Sequence, residues 1–352
     1  MIHRRATVLR RGHTIAMSEG GLILQGIRFS VVIPVYNEEA VVRQAHARLT
    51  GVMEKTGEPY ELLFVNDGSR DRTLEILLEL CEADSRTKLI SFSRNFGHQS
   101  AVSAGLEHAC GQAVVIIDAD LQDPPEIIPE MIGKWREGYE VVYGRRVKRK
   151  GESLFKRCTA AVYYRCLRLM ADIDIPVDAG DFRLLDRSVC AAVNRMPESN
   201  RFLRGLVSWA GFRQTSVEYV RDPRWAGETK YPLHKMIRFA LNGIFSFSYR
   251  PLKLATYLGL FFSLGSFAYL TYVIITKLLY NNMVSGWASL AAINLFFNGL
   301  ILLVLGIIGE YIGRIYDECK RRPLYIISGK CGFDDDGPPG GDWREPKTRR
   351  PA

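Results

Sequence analysis

Short apolar runs, each closed by a polar turn and followed by a stretch of helical period, organise the first 120 residues of the chain. Ser30–Val35, Glu61–Val65, Lys88–Phe92 and Ala113–Ile117 predict buried strands. Between them, Glu38–Lys55, Asp71–Ala83 and His98–Cys110 predict helices, the last rich in small residues. Strands alternating with helices predict an α/β domain with a mostly parallel sheet, whose functional groups gather at the carboxyl ends of the strands. After Glu140–Gly144 the character changes. A basic loop runs from Arg145 to Lys156, an amphipathic helix from Leu154 to Met170 and a short strand from Phe182 to Leu185. A helical region at Phe202–Ala210 and a strand at Gln214–Val220 close this part of the chain.

The pattern then turns apolar. Leu233, Met236, Ile237, Ala240, Leu241, Ile244 and Phe245 keep helical spacing, which predicts an amphipathic helix over 233–250 lying in a membrane interface. Residues 254–280 and 289–313 each exceed the roughly 20 apolar residues that cross a bilayer, so they predict a transmembrane hairpin. Lys277 and Glu310 lie near its ends, where they can reach the headgroups. Arg250 and Lys253 precede the hairpin, while Arg314, Lys320, Arg321 and Arg322 follow it, so both ends and the N-terminal domain are expected in the cytoplasm. Gly259, Gly265, Gly306 and Gly309 suit close helix packing and a homo-oligomer. Residues 1–28 and most of 314–352 are expected to be disordered, and the arginine-rich lead has no apolar core of a secretory signal.

Composition narrows the partners. The net charge is +9, yet no helical basic stripe with interleaved aromatics appears, so nucleic acid ranks low and an anionic lipid or phosphorylated substrate fits better. The seven cysteines form no CxxC pair and read as reduced thiols in the cytosol.

The densest chemistry lies in Val114-Val-Ile-Ile-Asp-Ala-Asp-Leu-Gln-Asp-Pro-Pro-Glu126. Asp118 and Asp120, at i and i+2 on a strand end, can hold a divalent metal, and the metal can neutralise a diphosphate. Asp123, Pro124 and Glu126 predict an N-cap, a first-turn proline and an N3 acid, with a helix starting at once. The first strand is followed by Pro34-Val-Tyr-Asn-Glu-Glu39, which has no glycine, so a phosphate-cradling G-x-G-x-x-G turn is excluded there. Taken singly, each motif also fits a structural role. Asn66–Ser69 suits any turn, Asp118 and Asp120 could be solvated caps, and His98 reads as a helix-start contact. Three polar clusters after three successive strands favour a site.

These motifs carry a resemblance. Val31-Val-Ile-Pro-Val-Tyr-Asn-Glu-Glu39, Val65-Asn-Asp-Gly-Ser-Arg-Asp-Arg-Thr73, Ser93-Arg-Asn-Phe-Gly97 and the 118–126 segment resemble family-2 glycosyltransferases of the Rossmann-like GT-A fold. Within them the chain is similar to the polyprenyl-phosphate glycosyltransferases, such as dolichol-phosphate mannose synthase and the bacterial undecaprenyl-phosphate glucosyl and aminoarabinosyl transferases. The resemblance spans about residues 29–320 and implies a catalytic GT-A domain over 29–232. It places Pro34, Tyr36, Glu38, Asp67 and Asp118 around the nucleotide sugar, with Asp67 at the uracil edge. It makes Asp120 and Gln122 the ligands of Mg2+ or Mn2+, and Asp118, Asp120, Arg145 and Asp181 the catalytic set. Arg145, Lys156, Arg157 and Lys230 would meet the lipid phosphate. Asn66 departs from the commoner Asp-Asp-Gly-Ser form, and the Gln-x-x-Arg-Trp motif of processive synthases is missing, which favours transfer of one sugar.

The implied reaction moves a sugar from a nucleotide sugar, UDP-linked by resemblance, to a polyprenyl phosphate at the bacterial inner membrane. A phosphate monoester has a second pKa near ~6, so this acceptor is already ionised at pH 7 and needs positioning more than a base. In-line displacement with inversion is expected. A non-catalytic nucleotide-sugar-binding subunit and a processive synthase are the alternatives.

Overall fold

The computed structural model describes residues 15–18, 21–24, 26–146, 179–220, 250–280 and 286–333. Its centre is an eight-stranded mixed sheet. Strand β3 (Phe29–Val35) is buried at every position and lies between β4 (Tyr60–Asn66) and β6 (Ala113–Ile116), parallel to both. A strand covered on both faces is apolar throughout, which is why the pattern there is a run and not an alternation. Strand β5 (Thr87–Phe92) extends the sheet beyond β4. Helices α1 (Val42–Glu54), α2 (Thr73–Ala83) and α3 (His98–His108) make the connections; α1 buries one stripe, Val42, Ala45, Leu49, Val52 and Met53, while α3 is buried continuously from Ala101 to Leu106.

Beyond β6 the order is β8 (Ala179–Asp186), β7 (Val141–Arg146) and β9 (Gln214–Tyr219). Strand β8 runs antiparallel to both β6 and β7, so its start, not its end, reaches the edge where the other strands finish. Helix α4 (Ile128–Arg136) leads into β7, while α5 (Arg187–Asn194) and α6 (Leu203–Trp209) separate β8 from β9.

Several expectations change. Residues 15–18 and 21–24, taken as disordered, pair as strands β1 (Ile15–Ser18) and β2 (Gly21–Leu24). The segment after residue 314, taken as a largely disordered tail, contains strand β10 (Ile327–Cys331), which adds antiparallel to β5 at the sheet edge. The unit that holds the sheet therefore also includes residues 323–333. A five-residue strand whose one large apolar residue is Ile327 gives little periodic signal; pairing with an open edge supplies the order. The capping box at 123–126 does not form. A 3-10 turn over Pro125–Ile127 precedes α4, Asp123 is buried elsewhere, and Glu126 makes a two-pronged pair with Arg48 at 2.7 Å.

The second unit contains two long helices, α7 (Arg250–Tyr280) and α8 (Trp287–Cys319). Phe262 of α7 packs against Phe296 and Phe297 of α8. Among the described residues one helix, Phe296–Cys319 with mean hydropathy 1.8, is by length and composition apolar enough to cross a membrane. The predicted helices at 154–170 and 233–250 lie outside the described residues, except Arg250, which begins α7.

Candidate functional site

The site is assembled from the turns at the carboxyl edge of the sheet. After β3 the chain turns through Tyr36, Asn37 and Glu38. Asn37 takes a left-handed conformation (φ 55°), its side-chain oxygen accepts the Arg70 amide at 2.8 Å, and its own amide donates to Ser69 Oγ at 3.0 Å. The Glu38 amide donates to Thr73 Oγ1 at 2.9 Å, so the turns after β3 and β4 are latched together. Tyr36 is exposed and Glu38 half-buried at this edge. Pro34 is buried within β3, so it shapes the strand end and offers no side chain to a ligand.

Asp67 is buried, and both of its oxygens are engaged: they accept the amides of Phe96 at 2.6 Å and Gly97 at 3.0 Å. Burial raises its pKa, with those two amides opposing. The expected uracil contact therefore falls to a carboxylate that already holds the turn after β5. Gly68 beside it has φ 66°, and a Cβ there would lie 2.4 Å from the Arg94 carbonyl carbon, so no larger residue fits.

At the end of β6 comes the acidic elbow. Asp120 Oδ1 accepts the Gln122 amide at 3.1 Å across Leu121, which is strained at φ 56°. Gln122 is buried and its Oε1 meets no hydrogen-bond donor among the described residues. A buried acceptor oxygen left open beside a carboxylate suits a hard cation. Among the described residues no three His, Cys, Asp or Glu side chains converge as ligands, so an ion here would need further oxygens from its substrate. Magnesium and manganese sites commonly take a substrate phosphate in that role.

Asp181 enters from the start of β8. The register that sets Ile116 opposite Arg183, continued by two residues, puts Asp181 opposite Asp118. His98, the first residue of α3, lies between them, with Nε2 3.8 Å from Asp118 and 3.6 Å from Asp181. Arg204 on α6 grips Asp181 through two hydrogen bonds of 2.7 and 3.0 Å. Burial opposes charge on Asp181, but Arg204 and His98 outweigh it and hold the carboxyl well below its usual range. Burial would likewise lower His98, yet Asp181 and Asp118 raise it to about 9. Asp118 is left with the cost: burial pushes it up to about 6, with His98 opposing and Asp181, Asp120 and Asp123 adding to the rise.

The last shift has a measurable sign. An acid whose folded pKa lies above its unfolded value of 3.8 destabilises the fold above about pH 6, and the penalty disappears as pH falls toward 4. Asp118→Asn is therefore expected to melt higher than the native chain at pH 8, by roughly 2–4 °C. The gap should close near pH 4 in paired thermal melts.

The β7 arginines divide differently from the expectation. Arg145 is exposed and pairs with Glu218 of the neighbouring β9. Arg146 continues the inner face of β7: its Nε donates to Tyr219 Oη at 3.1 Å, and its guanidinium lies 3.6 Å from buried Asp123. The Tyr219 hydroxyl donates to Asp123 at 2.7 Å. Gly180 leaves the room this requires, since a Cβ would come within 2.9 Å of the Arg146 guanidinium. Neither the division of roles between the two arginines nor the partnership of Arg204 with Asp181, 23 residues apart, was legible in the sequence. Lys156, Arg157 and Lys230 lie outside the described residues.

Comparison with known proteins agrees with this geometry. The Glycosyl transferase family 2 domain matches residues 30–193, and the GtrB C-terminal hairpin matches residues 250–315. The chain is 59% identical to the glycosyltransferase YkcC of Bacillus subtilis, over 88% of this chain and 96% of the relative. It is 47% identical to the glycosyltransferase sll0501 of Synechocystis, over 88% and 97%. To the bactoprenol glucosyl transferase of Shigella phage SfV it is 42% identical, over 86% and 98%. Similarity of this depth, running from the strand-edge site through the hairpin, means that the chain is a glycosyltransferase and belongs to family 2.

Proposed function

We propose that this enzyme transfers one sugar from a nucleotide sugar, UDP-linked, to a polyprenyl phosphate of the undecaprenyl type, with Mg2+ or Mn2+ at Asp120 and Gln122. The observation that carries the reading is the elbow itself: Asp118, Asp120 and a buried, unpartnered Gln122 oxygen at the carboxyl edge of the sheet. The name of the phage relative, a bactoprenol glucosyl transferase, supports the lipid acceptor.

A divalent ion bound there would offset the negative charge that grows on the leaving diphosphate. Arg146, held by Asp123 and the Tyr219 hydroxyl, presents a guanidinium whose orientation is set before substrate arrives. Phosphate recognition on β7 is assigned to Arg146, with Arg145, tied to Glu218, on the surface. Asp181 is a weak base because Arg204 and His98 stabilise its ionised form. Its role is to orient sugar hydroxyls, and the acceptor phosphate attacks as the anion it already is. Inversion at the anomeric carbon follows, which NMR of the lipid product tests.

An isoprenoid acceptor stays in the bilayer, so the active site must be kept at its surface. Helices α7 and α8, whose outward positions include Tyr257, Phe261, Phe267, Leu302 and Ile312, suit two crossings of the bacterial inner membrane with the catalytic domain in the cytoplasm. Gly259, Gly265, Gly306 and Gly309 on them suit a homo-oligomer. The soluble portion then comprises 29–232 and the returning segment, and an interfacial helix over 233–250 joins it to the hairpin.

The test is a panel of UDP- and GDP-sugars offered to the purified chain with undecaprenyl phosphate, with manganese, magnesium or EDTA. One labelled sugar per lipid, lost in EDTA, is expected. Absence of lipid labelling with every donor would overturn the reading.

A further inference from the structure

The segment that follows α8 is part of the sheet and touches the loop that carries the site's histidine. The Ser93 amide, at the first residue of the Ser93–Gly97 loop, donates to the carbonyl of Ile326 at 3.0 Å. Immediately beyond, β10 pairs with β5 in the register Ile327–Phe92, Gly329–Ser91, Lys330–Ile90 and Cys331–Leu89. The Tyr325 ring stacks on Phe92, with centroids 4.9 Å apart and planes inclined by 13°, and its hydroxyl donates to the Glu107 carboxylate on α3. Phe92 in turn meets Phe96 edge-on at 5.8 Å, and Arg94 covers the Phe96 ring at 4.0 Å. At its far end the same loop is held by Asp67 through the Phe96 and Gly97 amides. The next residue is His98, which lies between Asp118 and Asp181.

From these contacts we propose that Tyr325 is a positioning residue for sugar transfer: with the Ile326 carbonyl it anchors the entrance of the Ser93–Gly97 loop and so sets where His98 meets the two aspartates. The proposal rests on the site assignment made above and adds a residue beyond both matched family regions, which end at 193 and 315. The physical reason is the number of restraints. A five-residue loop clamped at both ends has little freedom, whereas one clamp leaves it to recover about 1 kcal/mol or more of conformational entropy per released residue. Displacement of a catalytic group by about 1 Å is enough to cost on the order of 10²-fold in rate. Stacking, and not the hydroxyl, carries most of the contact to Phe92, so phenylalanine at position 325 should serve.

The experiment compares the full-length native chain with Tyr325→Ala, Tyr325→Phe and Val52→Ala, the last removing core volume on α1. Two readouts are taken well below each melting temperature: kcat and donor KM for lipid glycosylation, and the rate of tryptic cleavage after the exposed Arg94. Tyr325→Ala is expected to lose about 10- to 100-fold in kcat and to be cut after Arg94 about 10-fold faster. Tyr325→Phe should stay near native in both, and Val52→Ala should keep kcat despite a lower melting temperature. Native kcat and native cleavage in Tyr325→Ala would overturn the proposal. So would losses in Tyr325→Ala and Val52→Ala that simply follow their melting temperatures. Failure of the native chain to label lipid with any donor would count against the function proposed above, while the cleavage comparison would still decide the role of Tyr325.

Discussion

Asp120→Ala is expected to reduce sugar transfer to lipid by about 10³-fold or more, the scale of losing a metal and its charge stabilisation at a leaving diphosphate. The side-chain Oδ1 accepts the local Gln122 amide at a strained turn. Thermal melts of the variant beside the native chain separate lost chemistry from lost structure. Donor binding should weaken too, because Asp120 would no longer help hold a divalent ion whose charge would favour the diphosphate. Radiolabelled sugar transfer, alongside calorimetric UDP binding with and without manganese, checks both parts. Full turnover in Asp120→Ala would remove the elbow from the reaction.

Asp181→Ala is expected to cost both stability and rate. The side chain is partly buried, and its removal leaves Arg204 and His98 as neighbouring cations without their shared counter-charge. Breaking such a pair by deleting one partner costs about 3 kcal/mol in partly buried settings, a fall of roughly 5–10 °C in melting temperature for a unit of this size. The rate should fall by at least about 10²-fold, because sugar positioning is lost with the carboxylate. Asp181→Ala combined with Arg204→Met separates the two effects. The double variant should recover part of the melting temperature, since the Arg204 guanidinium no longer faces the vacated carboxylate position, and none of the activity. Recovery of both would make the pair structural only. Weakening of the His98 contribution with pH follows from its raised pKa: that stability is full below the unfolded value of 6.5 and fades as pH passes about 9.

Much of this protein could be read from order along the chain. Buried strands such as β3 and β4 declare themselves as unbroken apolar runs, and in a parallel sheet their ends must share one edge. Asp67, Asp118 and Asp120 were placed by that logic alone. The long helices were equally legible, because a run of apolar residues of that length has few other uses. Local turn chemistry misled at 123–126, where Asp123 has the spacing of a cap but is drawn inward by Tyr219 and Arg146, 96 and 23 residues further on.

The sequence by itself determined the α/β class of fold, the edge on which the acidic elbow sits and the two long apolar helices, because each is written in local periodicity or in neighbouring residues. Only the tertiary structure decided that Arg146 and not Arg145 faces the elbow's Asp123, that His98 and Arg204 complete Asp181, and that the chain beyond α8 returns to close the sheet beside β5. Those outcomes depend on antiparallel register and on partners far apart in the chain. No window of residues contains them, because their energy comes from charges and strand edges that meet only after folding.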